Sequence, residues 1–531
     1  MASALSPTTA PTSDASLSTR DASLPNRDPS SPTRDRKGAV LLLLLLCVPS
    51  LAFVCTFRDV PHFGVLQDDS LYYAGAKTIA NGSGYKILSL PAEPYQTKYP
   101  PLYPLYLSLA WLANPSFPSN LTIALALSWL SLPVIVLLLY KLRQPWLILA
   151  LFAANPYVLF YASNIGSELF FLAILLGAFL AAENHRPLTA GLLGAAAYLA
   201  RTAGIAFLPA AILYFLIRRR PRDAAWFSIG MLPAIIGWTV WCHLHQAPGH
   251  DIVTLCYTSY TGYQFFNVGW DNFTVVLWKN FDALLEAMGS FVFPQMLNGL
   301  AGKAILQPIA IAMILGCVRL VRRGELQLYA IFGVFSAAML LVWHFPPNQR
   351  FILPLAPLLL AGFVSEMSNL LDKLRVAFKH RDRSQRVVAY GFTAVLAAIL
   401  TVGLGLQIYM TLSAVPEMYA SDRRNNRAFN SAYAWIEANL PSNANLLWEQ
   451  DVVYYLKTGR HAVSFPIPSR QWYAYDFDRD IDYYRKIDEF ARAQHLGYVL
   501  LNKEAVLRAA AANPNLEKVH AEPGTAIFRV K

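Results

Sequence analysis

Long apolar runs separated by short polar segments occupy most of the first 410 positions of the chain. The first run, Ala39–Phe57, contains six consecutive leucines and no charged residue. Because about 20 helical residues cross the hydrocarbon core of a bilayer, which is roughly 30 Å thick, the pattern predicts membrane-spanning helices. We predict about 11 spans. Ten of them follow the first run, at about 119–141, 146–162, 164–182, 187–200, 203–217, 224–243, 303–321, 327–343, 349–367 and 386–410.

The first run also allows an interpretation as a cleaved signal peptide. It is longer than the apolar core of a typical signal peptide, however, and no A-x-A cleavage site is evident. We therefore interpret it as the first span. The preceding residues, 1–37, are rich in Ser, Pro and Thr and are predicted to form a disordered cytoplasmic tail, because such a composition cannot bury an apolar core.

Basic residues cluster in short segments between the apolar runs, as the positive-inside rule predicts for cytoplasmic loops. Examples are Lys141 with Arg143, Arg218–Arg222 and Lys373–Arg386. This distribution places the N-terminus in the cytoplasm and the loops 58–118 and 244–302 outside a cytoplasmic (inner) membrane. It also explains the net charge of +11 without a nucleic-acid partner. Within the first loop, Pro101–Ala113 is apolar but short, and we predict a helix lying along the outer surface.

The last part of the chain, 414–531, has a different pattern. Arg427–Asn439 has the periodicity of an amphipathic helix, and Asp451–Lys457 that of a short helix ended by Gly459. Strand patterns occur at Asn445–Trp448, Gly497–Asn502 and Thr525–Val530. The predicted fold class is therefore mainly α: a polytopic helical membrane bundle (38–413), followed by a small soluble α/β domain outside the membrane.

The composition agrees with a membrane protein and excludes several classes of site. Only 15% of the residues are charged, whereas about 25% is usual for soluble domains. The five cysteines form no C-x-x-C pair, so we predict neither a zinc site nor a disulfide framework. We also predict no cofactor.

Polar side chains collect on the predicted outer face, at the ends of several apolar runs. A charge at membrane depth costs roughly 2.5–3.5 kcal/mol on insertion scales, so such residues normally face a cavity or a partner. The candidates are Asp68, Asp69, Tyr72, Lys98, Tyr99, Tyr103, Glu168, Arg201, His344 and Arg350. They come from five separate stretches of chain, which predicts one site between the membrane domain and its outer loops.

The chemistry of these groups favours group transfer to a hydroxyl. Asp68 or Asp69 can remove a hydroxyl proton as a general base. Lys98, Arg201 and Arg350 can bind a phosphate, with arginine supplying two parallel donors. Together with apolar walls for a lipid chain, the set predicts sugar transfer from a lipid-linked phosphate.

Each candidate also has a purely structural interpretation. Asp68 or Asp69 can cap the following helix, Lys98 can extend to the membrane interface, and the two arginines can bind lipid headgroups. Glu168 can pair with an arginine, while His344 and the tyrosines can simply pack at the interface. A divalent metal at the adjacent aspartates is an open alternative, although neighbouring side chains on a helix point apart, and we assign no metal.

The first outer loop resembles that of the multi-spanning GT-C glycosyltransferases. QDDSLYYAGAKTIANGSGY, followed by QTKYPPLYPLYLSLAWL, is similar to the acidic motif, the following tyrosine and the K/R-x-P-P-L-Y segment of bacterial members related to the protein mannosyltransferase and aminoarabinose transferase families. LARTAGIAFLPA and QRFILPLAPLLL resemble later segments of such enzymes. The strong motif covers only about residues 65–110, and no motif fixes mannose or aminoarabinose as the sugar.

The resemblance implies GT-C architecture, a polyprenyl-phosphate sugar donor and inversion at the anomeric carbon. It also implies a catalytic acid at Asp68, with Asp69 at a second acidic position. The sequence thus predicts a membrane glycosyltransferase that acts on a hydroxyl of a glycan, lipid or protein. One rival is a transporter or flippase of lipid-linked saccharides, which predicts inverted repeats and broken helices. A second rival, a non-catalytic scaffold, leaves the outward charges unexplained.

Overall fold

The computed structural model describes residues 32–248, 251–265, 270–297, 299–379, 383–466, 481 and 483–531, and most of them are helical. The helices are α1 (Pro32–Thr56), α2 (Asp68–Ala80), α3 (Leu102–Ala113), α4 (Leu121–Trp129), α5 (Ser131–Lys141), α6 (Trp146–Ala153), α7 (Pro156–Ala162), α8 (Ser167–Glu183), α9 (Pro187–Ala200), α10 (Phe207–Ile217), α11 (Pro221–Leu244), α12 (Ile252–Thr258), α13 (Phe273–Gly289), α14 (Gly299–Arg322), α15 (Gln327–Leu341), α16 (Gln349–Ile352), α17 (Ala356–Phe378), α18 (Arg383–Tyr409), α19 (Val415–Asn439), α20 (Asp451–Thr458), α21 (Ile487–Ala493) and α22 (Glu504–Ala511). Short 3₁₀ turns lie at Thr202–Ala206, Trp270–Asn272 and Leu353–Leu355, and π-helical turns at Thr261–Phe265 and Met410–Ala414.

Each predicted apolar span is helical over most of its length, but the predicted number of spans is not confirmed. Within the described ranges, six helices are long and apolar enough to cross a membrane, or seven if α7 and α8 form one bent span. Four further apolar helical stretches are shorter than 18 residues: Leu102–Ala113, Pro187–Ala200, Thr202–Ile217 and Gln327–Leu341. Length alone therefore does not separate short spans from buried core helices.

The two predicted domain boundaries, at 37/38 and 413/414, both fall inside helical segments. Helix α1 begins at Pro32, inside the predicted tail, and residues 1–31 lie outside the described part of the chain. Among the described residues, the contacts divide the chain at Leu42/Leu43. At the other end, one continuous helical run, Arg383–Asn439, crosses the predicted boundary at 413/414. That boundary stays a prediction.

The C-terminal segment carries one five-stranded sheet with the order β2-β1-β3-β5-β4. The strands are β1 (Leu446–Leu447), β2 (Ala462–Val463), β3 (Tyr498–Leu501), β4 (Leu516–Glu522) and β5 (Thr525–Val530). Strands β2, β1 and β3 are parallel, while β3, β5 and β4 are antiparallel. The sequence predicted β1, β3 and β5, and missed β2 and β4, because β2 is only two residues long and β4 mixes charged and apolar residues.

Two large apolar cores hold these elements. One lies among the membrane helices, where Gly316 and Gly362 allow α14 and α17 to touch: a Cβ added at Gly316 would lie 1.7 Å from the carbonyl oxygen of Gly362. The other joins the first loop to the C-terminal sheet, with Tyr73 and Leu107 in the same core as Val499. The first loop and the C-terminal segment therefore lie on the same side of the membrane helices.

A buried carboxyl group lies beneath the junction of the first loop and the C-terminal segment. Asp451 at the start of α20 is fully buried. Burial raises its pKa to about 7, although the hydroxyl groups of Ser89 and Tyr257 oppose the shift. Between the ordinary aspartate pKa of about 4 and this raised value, the folded protein keeps the proton while the unfolded chain loses it. The Asp451 carboxyl group therefore lowers the free energy of unfolding progressively as the pH rises to about 7. Above that pH the full loss of stability is present.

We expect Asp451→Asn to raise the thermal midpoint above that of the unmutated protein. The increase should be several degrees larger at about pH 8 than at about pH 5. The amide cannot ionise, so the variant escapes the cost that grows with pH. Thermal unfolding of the purified protein at both pH values measures the difference. The matched control is Asp372→Asn, since the Asp372 side chain is 73% exposed. An equal change at both pH values would contradict the prediction.

Candidate active site

A cavity of about 1010 Å³ lies where the first loop and the ends of the membrane helices meet the C-terminal segment. Its wall has three chemically different parts. The ionic surface is formed by Asp68, Lys98, Arg201 and Arg350. The apolar surface is formed by Phe171, Ile205, Phe332, Met339, Leu340 and Leu355. The polar surface is formed by Asn425, Glu449, Gln450, Ser464, Asn502 and Lys503.

Asp68 is the first residue of α2, and its carboxylate faces the cavity. The hydroxyl of Tyr99 donates to Oδ1 at 2.5 Å, and Nη2 of Arg350 lies 3.0 Å from Oδ2. An ionised carboxylate offers about four acceptor sites, so these two contacts orient the group and leave capacity for a substrate. About a quarter of the side chain (24%) is exposed, which gives a ligand access.

Asp69, the neighbouring residue, has a different environment. It is 2% exposed and does not line the cavity. Its oxygens accept the backbone N–H groups of Gly64 at 2.9 Å and Ser70 at 2.8 Å, which fixes the turn before α2. Burial raises its pKa to about 6. The two carboxylates therefore point to different partners: Asp68 faces the cavity, and Asp69 accepts hydrogen bonds from the backbone around the start of α2.

Glu168 forms the centre of an ion-pair network beneath the ionic surface. Its side chain is 1% exposed, and Oε1 accepts from Nη1 of Arg201 at 2.6 Å and from Nε of Arg350. Arg201 also donates to the hydroxyl of Ser167 at 2.8 Å. Arg350 thus contacts both Asp68 and Glu168. Because Glu168 lies in the first turn of α8, the helix dipole adds to the stabilisation of its charge.

Lys98 differs from the two arginines because it makes no salt bridge within the described ranges of the chain. Its Nζ donates to the carbonyl oxygen of Cys256 at 2.8 Å. The ammonium also lies 5.0 Å from the ring centre of Tyr260 and 5.5 Å from that of Tyr99. Burial lowers the pKa of Lys98. Of the three predicted phosphate ligands, it is the one that the described residues do not pair with a carboxylate.

The remaining predicted residues fall into two groups. Tyr72, Tyr99 and His344 line the cavity, and the rings of Tyr72 and Tyr99 meet edge to face at 5.2 Å. His344 is 3% exposed, and its Nδ1 has no hydrogen-bond partner in the described part of the chain. Burial lowers the pKa of His344 well below its usual value, so the ring is neutral near neutral pH. Tyr103 is fully buried away from the cavity, with its hydroxyl 2.8 Å from that of Ser128.

Sequence reasoning missed the polar surface and one aromatic residue of the cavity, Trp343. A usable signal existed for the polar surface. Gln450 closely follows the predicted strand Asn445–Trp448, and Asn502 is the last residue of the predicted strand Gly497–Asn502. Ligands of open parallel sheets bind beyond the carboxyl ends of the strands. The order of the strands was needed to apply that rule, and the sequence did not supply it.

Comparison with known proteins finds ten similar chains among the solved structures. They include ArnT from Cupriavidus metallidurans in the apo state and the same protein bound to undecaprenyl phosphate, with 11% and 13% sequence identity. Each of these two alignments has a TM-score of 0.48 and covers 93% of this chain and 98% of the other. No protein-family model and no curated protein matches the chain. This degree of similarity assigns neither a family nor an activity.

Proposed function

We propose that the protein is a membrane glycosyltransferase that moves a sugar from a polyprenyl-phosphate-linked donor to an acceptor hydroxyl outside the cytoplasmic membrane. The observation that carries the proposal is the cavity itself, which brings the carboxylate of Asp68 and the cation of Lys98 next to an apolar surface within the membrane domain. A base, a phosphate-binding cation and a groove for a lipid chain are what this transfer requires.

The apolar surface fits the donor lipid. Its residues come from α8, the 3₁₀ turns at 202–206 and 353–355, and α15, so this part of the cavity lies among the membrane helices. A polyprenyl chain in such a groove would remain in apolar surroundings. Its phosphate would then meet the ionic surface, where Lys98, Arg201 and Arg350 supply positive charge.

The placement of the charges supports the following reaction. The acceptor oxygen attacks the anomeric carbon while its proton passes to Asp68, and a new C–O bond forms. The bond between the anomeric carbon and the phosphate oxygen breaks, and the lipid phosphate leaves with the electron pair. Lys98 and the guanidinium groups stabilise the developing negative charge, an effect that often supplies the largest part of catalysis. Attack opposite the leaving group inverts the anomeric carbon.

The test is a release assay with the purified protein in lipid nanodiscs. A panel of polyprenyl-phosphate sugars is offered, and free lipid phosphate and transferred sugar are measured together. Turnover that depends on the folded protein with one or more donors is the expected result. No release from any donor, with the protein folded and a membrane extract added as acceptor, would overturn the proposal.

A flippase of lipid-linked saccharides is a second candidate, favoured by one observation. Helices α7 and α8 meet at a break of 105°, beside the charged residue Glu168, and broken helices are typical of transporters. Movement of a fluorescent polyprenyl-phosphate sugar between leaflets of proteoliposomes, without release of lipid phosphate, would support this function instead. Release without movement would exclude it.

Lys98→Met is expected to raise the donor KM roughly 10- to 100-fold, because the variant loses one charged hydrogen bond to the phosphate. The thermal midpoint should not fall much. Burial disfavours the charged form of Lys98, and the uncharged methionine removes the free-energy cost of burying that charge. Kinetics with varied donor and thermal unfolding measure the two effects. The control is Lys518→Met on the exposed face of β4. An unchanged donor KM with lower stability would show that Lys98 only supports the loop.

A further inference from the structure

The polar surface of the cavity is formed where three parallel strands end. Ser464 follows β2, Glu449 and Gln450 follow β1 closely, and Asn502 and Lys503 follow β3. Since β2, β1 and β3 are parallel neighbours, their carboxyl ends share one sheet edge. In open α/β sheets this edge is where ligands bind. The residues at this edge and Asp68 line the same cavity.

The amide groups on this surface are available to a ligand. Asn425 on α19 and Asn502 make no side-chain hydrogen bond to any residue that the structure describes, and both are at least partly exposed. Gln450 has a buried Oε1 without a partner among those same residues. Asn426, which also lines the cavity, differs because its Nδ2 donates to the carbonyl oxygen of Pro61 at 3.0 Å. The first three amides are therefore the candidates for binding, and Asn426 holds the first loop.

The charges on this surface are paired, unlike that of Lys98 on the ionic surface. Nζ of Lys503 lies 2.9 Å from Oε1 of Glu449, and the hydroxyl of Tyr484 donates to the same oxygen at 2.7 Å. At the edge of the surface, Oδ2 of Asp422 lies 2.8 Å from Nδ1 of His62. A surface of paired charges, dense in hydrogen-bonding groups, is unsuited to a phosphate or a hydrocarbon chain. Amides supply both donors and acceptors, which matches the hydroxyl groups of a neutral sugar.

We infer that this sheet edge is the acceptor subsite and that the acceptor is a carbohydrate, whose hydroxyl groups bind Asn425, Gln450 and Asn502. The inference rests on the proposed transfer function. The donor lipid then occupies the apolar surface, its phosphate meets the ionic surface, and the acceptor sugar approaches Asp68 from the side of the C-terminal sheet. A hydrocarbon chain that displaced water from this surface would leave the amides without hydrogen-bond partners, which costs free energy. A peptide also offers donors and acceptors, so a peptide probe is included in the binding experiment.

The first experiment measures binding without turnover. Saturation-transfer NMR on the protein in nanodiscs uses the methyl glycosides of glucose, galactose, mannose and N-acetylglucosamine as probes, with n-butanol and acetyl-Ala-Ser-Ala-amide for comparison. We expect a signal from at least one glycoside, a loss of that signal in the Asn425→Ala/Asn502→Ala double variant, and no loss in Asn439→Ala, which changes an exposed residue at the end of the same helix α19. No glycoside signal, or a signal that the double variant keeps, would overturn the inference.

The second experiment separates acceptor from donor. With a donor identified by the release assay, transfer to the bound glycoside is measured while each substrate is varied. The double variant is expected to raise the acceptor KM about tenfold, as the loss of two neutral hydrogen bonds predicts, and the donor KM less than about twofold. A rise mainly in the donor KM would assign the edge to the donor sugar instead and overturn the inference. If no donor is turned over but the binding result holds, the proposed function fails while the carbohydrate site remains.

Discussion

Asp68→Asn is expected to lower sugar transfer about 100- to 10,000-fold while the protein stays folded. The amide has the same shape and still accepts the hydroxyl of Tyr99 at Oδ1, but it cannot take a proton from the acceptor hydroxyl. The loss should appear in kcat, because a general base acts in the transition state. Transfer rates at saturating donor, measured in nanodiscs, test this loss of activity. Only a small change in stability is expected, from the lost contact between Asp68 and Arg350.

Asp69→Asn is the matched comparison, since it changes the adjacent carboxylate. Asp69 accepts two backbone N–H groups and does not line the cavity, so the variant should unfold at a lower temperature and keep most of its activity per folded molecule. The assignment of the base would be wrong if Asp69→Asn abolished transfer and Asp68→Asn did not. Equal losses in both variants would indicate that the turn before α2, and not one carboxylate, limits the reaction.

The helices of the membrane domain could be predicted from the sequence because their signal is local. The apolar run predicted at 303–321 is helix α14 at Gly299–Arg322, and the run at 327–343 is α15 at Gln327–Leu341. Helix length, in contrast, did not give the number of spans. The break between α7 and α8 turns the chain by 105°, and its angle depends on packing against other helices.

The contacts within the site could not be predicted because they join distant parts of the chain. The composition of the first loop selected Asp68, Lys98 and Tyr99, and all three line one cavity. The interpretation of Glu168 as an arginine partner is confirmed by its contacts with Arg201 and Arg350. Nothing local indicated that Arg350 also contacts Asp68, or that the carboxyl edge of the C-terminal sheet faces them.

Arg350→Met is expected to lower both activity and stability by large amounts. Arg350 is the one described residue that contacts Asp68 and Glu168 together, at 3.0 Å for Asp68. Breaking a buried ion pair from one side typically costs about 3–5 kcal/mol, because the remaining charge stays buried, although Arg201 still holds Glu168 here and reduces that cost. Activity should fall at least about 100-fold, since Asp68 loses its orientation and the phosphate loses a cation. Thermal unfolding and transfer rates measure the two losses.

The double variant Arg350→Met/Glu168→Gln separates the two roles of Arg350. Arg350→Met leaves the cluster with one negative charge in excess, and Glu168→Gln removes that excess. The double variant keeps one carboxylate, Asp68, and one guanidinium, Arg201, so it should recover part of the lost stability. Its activity should stay low, since the guanidinium beside Asp68 is still absent. Recovery of activity together with stability would mean that Arg350 only neutralises Glu168. Arg375→Met on α17 is the control: Arg375 forms an exposed ion pair with Asp372, so its loss should change neither quantity measurably.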